Sequence, residues 1–438
     1  MNGLEEVDVL VVGTGIMGMA SAYHILNSNR KKRVLAIDRY PAPGQGNTGR
    51  SNAMFRNTFS SSDNRTLAGA SIDFYLHVQQ ETKVDLGLQQ IGYLWLMSEP
   101  GLSASAPFLS GMEKDNVETR TFGRAELKNM LPSMVAEPGH ASPLQLPPVE
   151  GGVFGPKCGR LDPDKLVRFY AEGFTRMGGR MSMGTEAKKL ILEPHAKLGV
   201  EGEPFVWQES RVAGVLAEGR LSGEIRARTV VLACGAWGNQ LLSPAGIDGH
   251  VRSKKRQLFS VSAKGRADLL GLAKTKGFNS LGLLPLVILP KAGVHFKPVV
   301  EEDAFWVGCE DEVNRPFIDV PDTDLELYGA EHDFYARNIL PVLSAYFPPF
   351  GSAEVKAMWA GLYSYNTVDY IPFAYRDGSL IVVGGDSGSG IMKGDSLGRV
   401  VDALYREADE AQLYGGAPYT VSKLGFTRRG VEREEWII

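Results

Sequence analysis

Cysteine is scarce in this chain: three in 438 residues, Cys158, Cys234 and Cys309, far apart. Three scattered thiols build neither a disulfide framework nor a cysteine zinc site, and they fit a reducing compartment. The seven histidines show no metal-binding spacing. Long apolar runs are missing too. The most apolar stretch, "LGLLPLVILP" at 281–290, is too short to span a bilayer and is interrupted by proline. A core strand or loop is expected there, with a membrane-contact patch as the other reading. The opening "MNGLEEVD" carries acids and no apolar run of the signal-peptide kind. Charge of one sign is also lacking: 47 basic against 51 acidic side chains leave a net charge of −4, which argues against nucleic acid as a partner. A cytoplasmic location is expected, with a peripheral membrane contact left open.

What is present is ordinary globular material, 43% hydrophobic and 22% charged, long enough for two or three domains. "VDVLVVGTGIMGMASAYHILNSNRKKRVLAIDRY" reads as a βαβ unit. Val7–Val12 and Val34–Ile37 are continuous apolar runs of the fully buried strand type, and 16–28 has helical composition. A helix is expected in "NRTLAGASIDFYLHVQQET" and a strand in "IGYLWLMSE". Residues 98–150, rich in Pro, Ser and Gly, read as irregular. Asp162 and Pro163 then stand as cap and first residue of a helix that Gly178 and Gly179 end. A β-meander follows and closes in the buried strand Thr229–Cys234. Residues 251–345 mix strand-like runs with loops, and the chain ends with a strand in "SLIVVGG", a glycine-rich turn and a helix in "DSLGRVVDALYREADEAQL".

The sharpest motif is Gly13-Thr14-Gly15-Ile16-Met17-Gly18, a G-x-G-x-x-G between the first strand and the first helix. Glycine allows a tight turn and close approach of a pyrophosphate, and the helix N-terminus adds donors and a favourable dipole. Asp38 ends the second strand, about twenty residues on, where a carboxylate accepts hydrogen bonds from ribose hydroxyls. The pattern specifies a dinucleotide without saying which.

Three segments carry that further: the N-terminal βαβ unit, the strand in "TVVLACGAWG" and the C-terminal "VVGGDSGSGIMKGDSLGRVVDAL". Together they resemble the D-amino acid oxidase/sarcosine oxidase superfamily of FAD-dependent amine oxidoreductases over nearly the whole chain, on its glycine/sarcosine oxidase branch. "GLYSYNTVD" and the terminal "II" are also similar to the mitochondrial FAD-dependent oxidoreductase-domain protein of complex I assembly. The resemblance implies an α/β fold. A Rossmann-like FAD-binding domain (1–85, 152–250 and 359–438) would carry an inserted α+β substrate domain (86–151 and 251–358) built on an antiparallel sheet.

The cofactor residues it implies are Gly13, Gly15, Ile16, Met17 and Gly18, with Asp38 and Arg39. Thr48, Gly49, Arg50 and Ser51 open the stretch "GRSNAMFRNTF" and its approach, which in relatives wraps under the flavin. Ala233, Gly235 and Trp237 mark the late strand end, where Cys234 reads as a small buried filler rather than a nucleophile. Gly385, Ser387, Gly388, Ser389, Gly390, Ile391 and Met392 form the turn whose N–H groups face the flavin. Relatives bound covalently to FAD use a cysteine just before a T-x-D segment; "WAGLYSYNTVD" has none, so noncovalent FAD is implied.

For the substrate, a small carboxylate-bearing amine, the resemblance puts Arg56 over the flavin as a bidentate grip, with a salt-bridged surface arginine as the plainer alternative. Tyr363 and Tyr365 are candidates for the aromatic wall. Where the sarcosine branch often has His and Lys, this chain has Ser389 and Met392, and Lys393 comes one residue late. Lys393 is thus either a second carboxylate ligand or a solvated helix-end lysine. The oxygen-activating lysine of some relatives has no evident counterpart, Trp306 standing in the nearest stretch, "DAFWVGCED". That favours a dehydrogenase, its acceptor (oxygen, quinone or a partner protein) left open. The expected reaction is oxidation of a C–N bond. A 2-hydroxy acid or glycerol-3-phosphate dehydrogenase, and an FAD-bound assembly protein without turnover, remain as alternatives.

Overall fold

The computed structural model describes residues 5–139, 144–310, 315–318 and 329–436. β1 (Glu5–Val12), α1 (Ile16–Ser28) and β2 (Val34–Asp38) form the βαβ unit, with Val9 opposite Val34 and Val12 opposite Ile37 in a parallel pair. The apolar run is continuous because both faces of the sheet are covered. Val9 and Val11 pack toward α1 and the helices Ser62–Glu81, Pro163–Arg176 and Gly394–Tyr405. Leu10 and Val12 pack on the other side, with strands Thr185–Pro194 and Ser210–Gly219.

The first sheet runs Phe373–Asp377, Leu380–Gly384, Gly223–Leu232, β1, β2, Arg180–Met183, and the expected meander branches from Gly223–Leu232. Among the described residues the second sheet also has eight strands, from Val355–Asn366 and Val251–Ser262 at one edge to Gly151–Gly155 and Arg120–Gly123 at the other. Its pairs are antiparallel except where Leu286–Ile288 meets Tyr93–Met97. The architecture is the expected one, a Rossmann-like layer and an α+β layer. The boundaries drawn at 152 and 359 fall inside strands of the second sheet, so by strand membership that layer reaches about residue 155 and residue 366.

One local reading differs from the sequence expectation. Residues 98–150 contain helices Glu99–Lys114 and Arg124–Met130 and a strand, Arg120–Gly123. Ser98 caps the first helix by accepting from Gly101 N, and Pro100 sits in its first turn, where a missing N–H costs nothing. Composition suggested loop; the capping arrangement overrides it. The apolar stretch at 281–290 supplies the buried strand Leu286–Ile288, so its core reading holds. Among the described residues no helix is long and apolar enough to cross a membrane.

Candidate active site

A continuous cavity opens where β1 and β2 end, walled by loops of the first layer and by strands Val251–Ser262 and Val355–Asn366 of the second. At its first end the chain leaves β1 through Gly13, with φ +98. A Cβ there would lie 2.5 Å from the Ala233 carbonyl oxygen, so only glycine lets the loop pass the neighbouring strand end. Gly18 is not on the wall: a Cβ at Gly18 would meet the Gly13 carbonyl, and its role is to seat α1 against the loop. The N-cap of α1, Gly15, has no side chain and the first turn carries no acid, so apart from Ile16 N the N–H groups and dipole of the helix start are left for an anion.

Asp38 lines the cavity and organises this loop. It accepts from Thr14 N (2.7 Å), Thr14 Oγ1 (2.9 Å) and Tyr40 N (3.0 Å). Arg39 lies over the Trp237 ring at 4.7 Å and 3.8 Å from Glu186, an aromatic–guanidinium face suited to a planar base. Cys234 is half-buried on the cavity wall rather than inside the core; its Sγ contacts the Val12 carbonyl, and burial pushes its thiol pKa up to about 12, so it stays protonated.

The segment 47–52 forms the middle of the wall, and both layers hold it. From the first layer, Ile16 N donates to Thr48 Oγ1 (3.1 Å). From the second, Leu362 N donates to Asn47 Oδ1 (2.9 Å), Trp359 Nε1 to the Arg50 carbonyl (3.0 Å), and the Lys297 amine to the Asn52 carbonyl. Thr48, Arg50 and Ser51 face the cavity, whereas Gly49 turns away against Gly44. Arg50 Nε and Asn52 Oδ1 are buried without a hydrogen-bond partner among the described residues. Orphaned polar atoms on a wall of this kind fit a polar ligand. With the open helix N-terminus and the glycine cradle, these residues fit FAD. Ala233, Gly235, Trp237 and Ser387–Met392 complete the wall, and Gly385 lies behind it against Phe373.

At the far end Arg56 follows the short strand Met54–Phe55, which pairs with Gly159–Arg160. Arg56 N contacts Met392 Sδ, tying it to the 387–392 turn. Its buried guanidinium lies 3.9 Å over the Phe59 ring and donates to the carbonyls of Thr58 and Trp436. Tyr363 is on the wall, and Tyr365 stands behind it. Lys393 needs correcting in both of its readings. It is fully buried, off the wall, with its amine on Ser389 Oγ and 4.6 Å over Phe59. The single-residue offset puts it inside the helix-side core rather than toward the cavity.

Sequence reasoning passed over three features. Arg256, in the middle of Val251–Ser262, lines the cavity, donates to the Tyr365 hydroxyl (2.6 Å) and lies 5.3 Å over the Tyr363 ring. Lys297 stands opposite Trp306 in the strand register, 4.5 Å over its ring; it is buried and off the cavity wall, with its amine on the Asn52 carbonyl. A lysine inside the wholly buried strand "HFKPV" was the available signal. Glu434 and Trp436 also line the cavity, from a segment without periodicity.

Burial pulls the pKa of Lys297 down to about 7, with Arg160 adding to it. Burial does the same to Lys393, also to about 7, Glu434 opposing and Arg56 adding. The unfolded chain keeps both protons to about 10.5. Between these values it binds more protons than the folded one, so stability rises with pH over this window and is diminished below it. The melting temperature of the holoprotein should therefore climb from about pH 7 to pH 10 relative to a Lys297→Met/Lys393→Met variant. Parallel curves for the two proteins would show that neither amine is depressed.

Comparison with known proteins agrees with this geometry. The chain is 24% identical over 427 residues to FAD-dependent oxidoreductase domain-containing protein 1 of Xenopus laevis, covering 91% of this chain and 79% of that one. It is 25% identical over 282 residues to sarcosine oxidase subunit beta of Rhodobacter capsulatus, covering 63% and 66%. Its fold matches glycine oxidase from Geobacillus kaustophilus with a TM-score of 0.70 at 18% identity, over 97% of this chain and 100% of that one. L-proline dehydrogenase from P. horikoshii matches with a TM-score of 0.72 at 20% identity, over 92% and 94%. The family described as DAO, FAD dependent oxidoreductase, matches residues 8–404, and the chain belongs to it: this protein is an FAD-dependent oxidoreductase.

Proposed function

We propose that the protein oxidises the C–N bond of a small amino acid or N-methyl amino acid whose carboxylate is bound by Arg56. The observation that carries this reading is the buried Arg56 guanidinium on the cavity wall, at the same end as Tyr363. A planar guanidinium gives a carboxylate a fixed, always-charged partner. Arg256 lies on the same wall and is a better second cation than Lys393, which does not reach the cavity. Tyr363, Tyr93 and Met54 shape an aromatic and apolar space for a small side chain. Burial raises the pKa of Tyr363, so its hydroxyl stays protonated and can donate. Bound FAD supplies the two-electron acceptor.

The test is anaerobic mixing of the yellow protein with a panel of amino acids, N-methyl amino acids, 2-hydroxy acids and glycerol phosphate. Flavin bleaching by an amine, restored on admitting air, is the expected result. Bleaching only by a hydroxy acid would transfer the reading to a C–O bond, and bleaching by nothing would leave a flavoprotein without turnover. Acid precipitation should leave the flavin in the supernatant, because no cysteine stands near Thr367–Asp369.

A further inference from the structure

The segment Arg429–Trp436 has no helix or strand, yet it is tied down at both ends. Arg429 makes a two-pronged pair with Asp369, at 2.5 and 2.8 Å, and both side chains are buried. Residues 430–433 are exposed, and then Glu434 turns inward to 2% exposure. One carboxylate oxygen accepts from Ser60 N (3.0 Å) and Ser60 Oγ (2.7 Å). The other accepts from Ser61 N (3.1 Å) and Asn64 Nδ2 (3.0 Å). Burial alone would raise the pKa of Glu434; Arg56 and these donors outweigh it and hold the carboxyl below its usual range. Two residues on, Trp436 N donates back to Glu434 Oε1 (2.9 Å). The Trp436 ring packs on Trp95 at 5.2 Å and edge-on to Phe108 at 6.0 Å, both in the 86–151 segment of the second layer. The Trp436 carbonyl accepts from the Arg56 guanidinium.

A buried carboxylate thus fixes, through one short loop, the carbonyl that holds Arg56. We propose that Glu434 is a positioning residue for Arg56, and that the Trp436 ring is a specificity-determining wall at the substrate end. Without the Glu434 anchor, the hydrogen-bond ties of residues 435 and 436 to the first layer shrink to Glu435 N on Ser60 Oγ (2.9 Å) and the Trp436 carbonyl on Arg56, and that carbonyl no longer has a fixed position from which to aim the guanidinium. The proposal rests on the reading of Arg56 as the carboxylate contact. Five donors on one side chain are far more than an incidental surface glutamate collects.

Acetate and benzoate serve as probes, their binding read from the flavin absorption of the holoprotein, alongside FAD content and melting temperature. Glu434→Ala should raise the acetate Kd by about tenfold or more, with FAD content unchanged. Glu434→Gln keeps an acceptor oxygen and should fall between. Trp436→Ala keeps its main-chain carbonyl, so acetate binding should stay within about threefold while the benzoate-to-acetate preference rises about tenfold. A wild-type acetate Kd in Glu434→Ala overturns the positioning role, as does a loss that merely follows FAD content or melting temperature. An unchanged benzoate preference in Trp436→Ala overturns the wall. Normal acetate binding in Arg56→Ala would instead bring down the reading of Arg56 itself, and a wild-type flavin spectrum blind to both probes would bring down both.

Discussion

Arg56→Ala protein is expected to purify yellow, with a nearly normal flavin spectrum, and to bind carboxylates and turn over substrate very poorly. The guanidinium lies on the cavity wall but makes no contact with the glycine loop or with Asp38, so the cofactor should not notice its loss. Removing a charge-assisted, desolvated contact costs about 2–5 kcal/mol, which is about thirtyfold or more in binding. Arg56→Lys should recover only part, because a point charge on a flexible stem cannot make two parallel hydrogen bonds. Arg50→Ala should do the reverse and loosen FAD, since its orphaned Nε faces the middle of the wall. Loss of FAD from the Arg56 variant with retention in the Arg50 variant would show the two roles exchanged.

Asp38→Ala should lose FAD while the apoprotein stays folded by circular dichroism. The side chain accepts three hydrogen bonds inside the protein, from Thr14 N, Thr14 Oγ1 and Tyr40 N, and its wall position offers its remaining lone pairs to a ribose. The substitution therefore removes the ribose contact and strands buried donors of the glycine loop at about 1–3 kcal/mol each. FAD affinity, titrated by fluorescence into apoprotein, should fall on the order of a hundredfold. Unchanged affinity would mean that another acceptor holds the ribose, with Glu186 on the same wall the first to examine.

The first layer was legible because its rules are local. Two unbroken apolar runs, a glycine triplet between them and Asp38 at the end of the second leave little choice of structure. Asp162 caps its helix as expected, accepting from Asp164 N and Lys165 N. The far end of the cavity was less legible, because its parts are brought together by long-range pairing. Arg256 reaches the site only through a strand register that sets it opposite Gly361, and Lys297 reaches the segment 47–52 behind it only through one that sets it opposite Trp306. Trp436 meets Arg56 across 380 positions with no pattern to announce it. Lys393 failed for the opposite reason: a one-residue offset in a motif looks minor in a string and reverses the direction of a side chain at a helix start.

The segment 47–52, gripped from both layers, makes colour a reporter of more than cofactor chemistry. Lys297, Trp359 and Leu362 belong to the second sheet and hold the stretch from which Arg50 and Asn52 face the cavity. Damage to that sheet far from the flavin should slacken this belt before it unfolds the Rossmann layer. A collection of random variants sorted by eye would then contain pale proteins whose substitutions cluster in the second sheet, and yellow intensity across such a collection would map the seam between the two layers.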